Sequence, residues 1–319
     1  MMKSVILLSA AALALTACSR AGDAPAAQQE SQKLSATHAI DTPAPVTALA
    51  FSPNDVASWL GAIAMITDSG QLLITNIEGI KPKPQSGGPF KDVIGANRDG
   101  QPALFFALTQ TGELRAFVEA DDEGNFKALP ISSETQNTAL LCKSAGGLTD
   151  ALTVITAGGD IVTLATDIQS SAVLRKAETL GKAENASACV VSGKQVFTLS
   201  GNKLSENGGK SVKIDPTAGG LAIFNAGSQS YLATSKPGNP ALSLYSAGDL
   251  TRAGSFDIAS GLSIGGLDGG AGGVWATSEA FGGSGFNAGV VALSDNNDSR
   301  LVIMSKSYIL SELAKANAR

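Results

Sequence analysis

The chain has 319 residues, of which 44% are apolar, 16% charged and 5% aromatic, with 36 glycines and a formal net charge of −5. That suffices for one large domain or two modest ones, and the acidic balance excludes a groove for duplex nucleic acid, which needs a basic surface. The single histidine, His38, lies in a polar stretch near the N-terminus, so a histidine-dependent triad or a multi-histidine metal site is excluded and chemistry falls to carboxylates, Lys, Arg or hydroxyls.

Lys3 precedes an apolar core from Val5 to Leu15, too short to span a bilayer. Leu15-Thr16-Ala17-Cys18 follows directly. Small residues before a cysteine, after such a core, read as a lipobox: residues 1–17 form a lipoprotein signal peptide, and Cys18 becomes the lipidated N-terminus. An ordinary secretory signal with an incidental cysteine is the alternative. Acyl chains hold a protein on a membrane because each buried CH₂ contributes about 0.8 kcal/mol. Ser19 stands where an inner-membrane retention signal places Asp, so the expected location is the outer membrane, facing the periplasm or the exterior. Residues 18–42, rich in Ala, Gln, Ser and Thr without apolar periodicity, read as a flexible tether. Residues 43–319 read as the folded domain.

Beyond the tether, short apolar runs alternate with Gly, Asn, Asp and Ser, and helical periodicity is absent before Tyr308. Strand-like runs include Ala62–Thr67, Leu72–Ile77, Ala103–Thr109, Leu152–Thr156, Gln195–Leu199, Tyr231–Thr234 and Val290–Ser294. They fall into groups of three or four that open on Ala48–Ser52, Asp92–Asn97, Ala139–Lys143, Ala188–Ser192, Gly220–Asn225 and Gly273–Ser278. The spacing is irregular, about 45 residues, the length of a four-stranded propeller blade. The expected fold is therefore all-β, a six-bladed β-propeller, with a β-sandwich or two small barrels as alternatives. The glycine load fits strand ends that converge on a central channel. Cys142 and Cys189 sit in similar settings in successive groups, so an oxidising compartment would let them pair as a disulfide; two buried free thiols are the other option.

The order of segments resembles the β-propeller phytases, calcium-dependent enzymes that remove phosphate from inositol hexakisphosphate. The resemblance runs over most of residues 43–310. It is carried by Phe51-Ser52-Pro53-Asn54-Asp55, by Thr67-Asp68-Ser69-Gly70 leading into Leu72–Gly79, and by Ala96-Asn97-Arg98-Asp99-Gly100. Leu140-Leu141-Cys142, Ala188-Cys189-Val190-Val191, Gly220–Phe224, Tyr231–Ser235, Gly238-Asn239, Ala288–Asp295 and Arg300–Ile303 continue it. The resemblance implies a calcium centre of carboxylates at the channel mouth, bridging to substrate phosphates. Here the expected acids align with Pro45, Val46, Ser187, Thr217, Gly219 and Gly272, the expected lysine with Ser69 and the expected tyrosine with Ala139. Asn97, Arg98, Asn239 and Asp295 remain as ligand-binding candidates, and Lys236 joins them from the loop that holds Asn239.

Each candidate has a plainer reading. Arg98 either grips an anion bidentately or pairs with Asp99 or Asp92. Lys236 and Asn239 form either a ligand loop or a polar turn. Asp121-Asp122-Glu123-Gly124 and Asp295-Asn296-Asn297-Asp298 offer oxygens to calcium, or are solvated turns. Gly265–Gly273 lacks the Lys-Ser/Thr of a phosphate loop. No catalytic residue and no metal ligand can be named. The expected function is a degenerate phytase-like propeller that serves as a binding or scaffold module, without a cofactor. A phytase with a reduced calcium site and an envelope-assembly scaffold are the alternatives. Expected partners are the membrane, through the lipid anchor, and a phosphorylated small molecule or an envelope protein, with no nucleic acid.

Overall fold

The computed structural model of the protein describes residues 31–318, apart from positions 55, 80, 81, 98, 99, 122, 123, 148–150, 262 and 263. The signal peptide, Cys18, Arg98 and the Asp122-Glu123 pair lie outside the described residues.

Two short strands come first, β1 (Gln32–Ser35) and β2 (His38–Asp41). The first group is β3 (Val46–Ser52), β4 (Ala62–Thr67), β5 (Leu72–Asn76) and β6 (Lys83–Gln85); the second is β7 (Phe90–Ala96), β8 (Leu104–Thr109), β9 (Leu114–Glu119) and β10 (Phe126–Leu129). A short β11 (Ile131–Ser133) leads to β12 (Thr138–Ser144), β13 (Ala151–Thr156), β14 (Asp160–Ile168) and β15 (Ala172–Lys182). Then come β16 (Ala188–Ser192), β17 (Gln195–Ser200), β18 (Lys203–Glu206) and β19 (Ser211–Lys213), followed by β20 (Gly220–Ala226), β21 (Gln229–Ser235), β22 (Leu242–Ser246) and β23 (Arg252–Ala259). The chain ends with β24 (Ala271–Thr277), β25 (Val290–Asp295), β26 (Arg300–Ser305) and helix α1 (Lys306–Asn317).

Within each group the strands pair antiparallel in sequence order. The first strand of each group contacts the first strand of the next, from β3 through β7, β12, β16, β20 and β24, and β24 returns to β3. The sheets thus stand around an axis as a β-propeller. The last group has only three strands of its own, and β2 supplies the outer one, with Ile40 opposite Leu301 and Asp41 opposite Arg300. β1 adds in parallel to the outer edge of β23. Residues 32–41, part of the stretch read as tether, therefore belong to the sheets. Their alternation is too short to show, and only Leu34, Ala36 and Ile40 point into the core.

The core lies between the faces of neighbouring sheets. Phe90, Phe105, Ala64 and Ile74 fill one such interface, and Phe224, Phe256, Val291 and Met304 another, where Ile309 and Leu313 of α1 also pack. Each fully buried side chain of this size contributes about 1.5–3 kcal/mol. Inner strands approach so closely that a Cβ at Gly95 would collide with the Phe51 carbonyl, so glycine is required there by proximity.

The third and fourth groups are joined. β12 and β16 pair in parallel at Lys143–Val190 and Ser144–Val191, and the two groups form one nine-stranded sheet. Beside that seam Cys142 and Cys189 form the disulfide that the repeat pattern suggested. It closes a loop with a sequence separation of 47. Loop-closure entropy then gives about 4 kcal/mol. Replacing both cysteines with alanine should lower unfolding free energy by up to about this amount in urea titrations, and non-reducing peptide mapping should recover the Cys142–Cys189 pair.

Candidate functional site at the channel mouth

Every inner strand runs in the same sense, so the channel has an entry end, where these strands begin, and an exit end. At the entry end lies a cavity of about 110 Å³. Its wall is small and neutral at Ala48, Ser187, Gly219, Gly220 and Gly273, while Lys91, Asp92 and Lys143 bring charge. Lys143 also lines a second cavity of about 20 Å³ further along the axis, beside Phe51, Gly95 and Thr277. Trp275 also lines both spaces.

Asp92 is buried, and its carboxylate is fully engaged. Oδ1 accepts the Lys143 ammonium at 2.5 Å and the Val93 amide at 2.9 Å, and Oδ2 accepts the Leu141 amide at 2.9 Å. A carboxylate with these donors holds two neighbouring inner strands together and has little capacity left for a metal ion. Among the described residues, no group of three or more His, Cys, Asp and Glu is placed to hold a metal ion. A multi-oxygen calcium centre does not fit this donor set.

The sequence candidates separate in space. Asn97 follows the last residue of β7, next to Gly147 at the exit end. Its Oδ1 is buried without a hydrogen-bond partner. Lys236, Asn239 and Asp295 lie at the opposite, entry end. There the backbone of Gly270 knits their loops: Pro237 bridges to Gly270, and Asn296 donates its amide to the Gly270 carbonyl. Asn239 is exposed in this loop. Asp92 pairs with Lys143; Arg98 lies outside the described residues.

Asp295 is engaged by its own turn. Oδ2 accepts Arg300 Nε at 2.7 Å and Oδ1 the Asn297 amide at 2.9 Å, while Arg300 also donates to the Gly266 carbonyl at 2.6 Å. The ion pair pins the glycine-rich segment 265–273 to the last group. Lys236 meets Asp215 at 2.8 Å. The Lys236 ammonium, then the Thr217 hydroxyl and amide, hold the Asp215 carboxyl at about 2.

At the exit end Lys306, the first residue of α1, is buried and donates to the Asn225 carbonyl at 2.8 Å and the Ser278 carbonyl at 3.4 Å. Burial pushes its ammonium below the usual lysine range, against the opposing pull of Glu279. A further crevice of about 400 Å³ is lined by Gln195, Gln229, Ser230 and Tyr231. These groups bond mostly among themselves or to neighbours: Tyr231 to Gln229, Ser230 to Asn225, Gln195 to Glu206.

Sequence reasoning passed over Lys91, Asp92 and Lys143 as a cluster. The available signal was an ionisable residue inside each apolar opening strand, Phe90-Lys91-Asp92-Val93 and Leu141-Cys142-Lys143.

The chain matches no protein-family model, and no curated protein is similar to it. Solved structures similar to it include the β-propeller domain of Cps50 (Swd1) from Myceliophteria thermophila, with 11% identity over 82% of this chain and 83% of that one and a TM-score of 0.45. Others are the N-terminal domain of Nup159, with 14% identity over 76% and 72% and a TM-score of 0.40, and a nidogen/laminin complex, with 10% identity over 67% and 81% and a TM-score of 0.42. At such values the propeller rests on the strand pairing of this chain itself.

Lys143→Met should destabilise the protein by about 3 kcal/mol in urea titrations, because it leaves the buried Asp92 charge without its cation. Asp92→Asn should cost less, since the Lys143 ammonium can turn into the cavity. The depressed Asp215 carboxyl stabilises the fold above its ordinary value of 3.8, and that contribution disappears as pH falls through about 2. Lys236→Met should move the Asp215 carboxyl titration upward in carbon-detected NMR, narrowing that window.

Proposed function

We propose that the chain is an outer-membrane-type lipoprotein whose six-bladed, phytase-like propeller works as a binding or scaffold module and carries no calcium phosphatase centre. The observation that carries this reading is the wall of the channel mouth. Positions where the resemblance asks for acids, Ser187 and Gly219 among them, present no carboxylate there, and Asp92 is engaged by Lys143 and two amides. Calcium needs six to eight oxygen ligands, and a phosphate-rich substrate needs its charge neutralised before water attacks phosphorus. The small neutral positions supply no such ligands, and of the two lysines in the wall Lys143 is engaged by Asp92. The lipoprotein part rests on the Leu15–Cys18 sequence.

The test is phosphate release from inositol hexakisphosphate by the mature domain, with and without calcium. The expected outcome is no calcium-stimulated release above background and no calcium-dependent rise in melting temperature, because an ion that does not bind the folded state cannot stabilise it. Turnover that appears with calcium and vanishes with a chelator would assign the reduced-site phosphatase instead. Separately, Cys18→Ser should release the protein from membranes or leave it uncleaved; a fully cleaved variant that still fractionates with membranes would overturn the anchor.

A further inference from the structure

Among the described residues the exposed large apolar side chains are Val56 (80% exposed), Trp59 (66%) and Leu60 (57%). All three sit in one loop, between β3 and β4, at the exit end of the channel. Most surface apolar residues are scattered singly and need no explanation. Three within five positions, led by a tryptophan, do.

The loop is braced from below. Asn54 Oδ1 accepts the amides of Val56 and Ala57 at 3.1 and 2.9 Å. Ser58 exchanges two hydrogen bonds with Gly282: its hydroxyl donates to the Gly282 carbonyl at 2.7 Å, and its carbonyl accepts the Gly282 amide at 2.8 Å. Phe281 is fully buried under Gly61 and meets Phe51 edge to face at 5.2 Å. The apolar side chains are thus held outward on a fixed base, so presenting them to another phase costs little further ordering.

We propose that this loop docks the propeller on a lipid surface, with Trp59 and Leu60 entering the interfacial region of the bilayer. Three observations select lipid over a protein partner or a second copy. First, residues 52–61 and 279–289 contain no Lys or Arg and only two acids, Asp55 and Glu279. That sparse charge, both groups acidic, suits the boundary of a neutral headgroup layer and offers no alternating charge pattern to a partner protein. Second, tryptophan with a flanking aliphatic residue is the pair that favours this boundary, being apolar in body with one polar N–H. Third, the N-terminal segment passes this end: after β1 has paired with Phe256–Ala259 of β23, His38 at the start of β2 bonds the Ile77 carbonyl at 2.8 Å and lies 6.5 Å from Phe286 of the supporting loop. Residues 18–30, between the lipidation site and the described fold, span at most about 45 Å when extended. The inference deepens the lipoprotein reading and rests on it for how the protein reaches the bilayer.

The test uses the chain from residue 18 with Cys18→Ser, which keeps every described residue and lacks lipid, mixed with phosphatidylcholine vesicles. Trp275 is 6% exposed, so changes in emission report Trp59. Emission should shift to the blue, and acyl-brominated phosphatidylcholine should quench it. Adding an anionic lipid should not strengthen binding. Trp59→Ser combined with Leu60→Ser should lower the vesicle-bound fraction at least about tenfold. Absence of both the shift and the quenching in the unaltered loop would overturn the proposal without recourse to any variant. So would a Trp59-dependent dimer in sedimentation, which would give the loop to a second copy. Failure of the lipoprotein reading is scored apart, by the mass of the Cys18 peptide from the native protein: an unlipidated Cys18 removes the anchor, whereas vesicle binding stands or falls on the loop.

Discussion

Inner strands in this ring approach one another backbone to backbone, and that proximity governs which residues the channel can hold. Gly95 lies against the Phe51 carbonyl, a Cβ at Gly220 would come within 2.8 Å of the Val274 amide nitrogen, and the Trp275 ring covers Gly273. Closing the ring and lining its mouth with ligands compete for the same positions. A side chain at Gly220 could reach an ion only by pushing the strands apart, and one at Gly273 only by displacing the Trp275 ring. Charge therefore enters the axis where space allows, at Asp92 and Lys143, and there it is spent on joining strands.

The inner strands were legible because they are buried on both faces and read as continuous apolar runs, such as Ala48–Ser52 and Gly220–Asn225. Outer strands were not. β15 alternates buried and exposed residues only in its first turn of pairing, then runs through Arg175, Lys176 and Glu178, which pattern reading assigns to loop. β6, Lys83-Pro84-Gln85, carries a proline suited to an edge. The paired cysteines were legible because equivalent strands repeat their surroundings. The site was harder. Asn97 and Asp295 are both polar residues after an apolar strand, yet one ends a strand running toward the exit and the other a strand running toward the entry. Sequence spacing does not distinguish these directions without the pairing. The role of Asp295 depends on Arg300, five residues on across a turn, and only the closed turn shows that the carboxylate is already occupied.

The two ends of the propeller thus differ in kind. The entry end is a set of polar loops stitched by backbone bonds around Gly270 and by the Lys236–Asp215 and Arg300–Asp295 pairs. The exit end carries α1, the buried Lys306 and the apolar loop at Trp59. The Lys236–Asp215 pair, open to solvent at its carboxylate, contributes little by itself, whereas the Arg300–Asp295 pair is largely buried; both fix loop positions around a narrow opening.

The closing seam has a consequence for timing. Thr37 bonds the carbonyl of Ile303, 266 residues away, and β2 completes a sheet whose other strands are the last of the ring to be synthesised. Contacts of such separation are slow to form, because the entropy of the intervening loop is lost before the contact rewards it. A ribosome releases β2 just after β1 and β26 near the end, so a nascent chain holds an orphan strand while the other sheets assemble. Of that strand's four residues only Ile40 is buried in the finished fold. A waiting segment with so little apolar surface is a poor template for aggregation, which allows the ring to stay open until its last strands arrive.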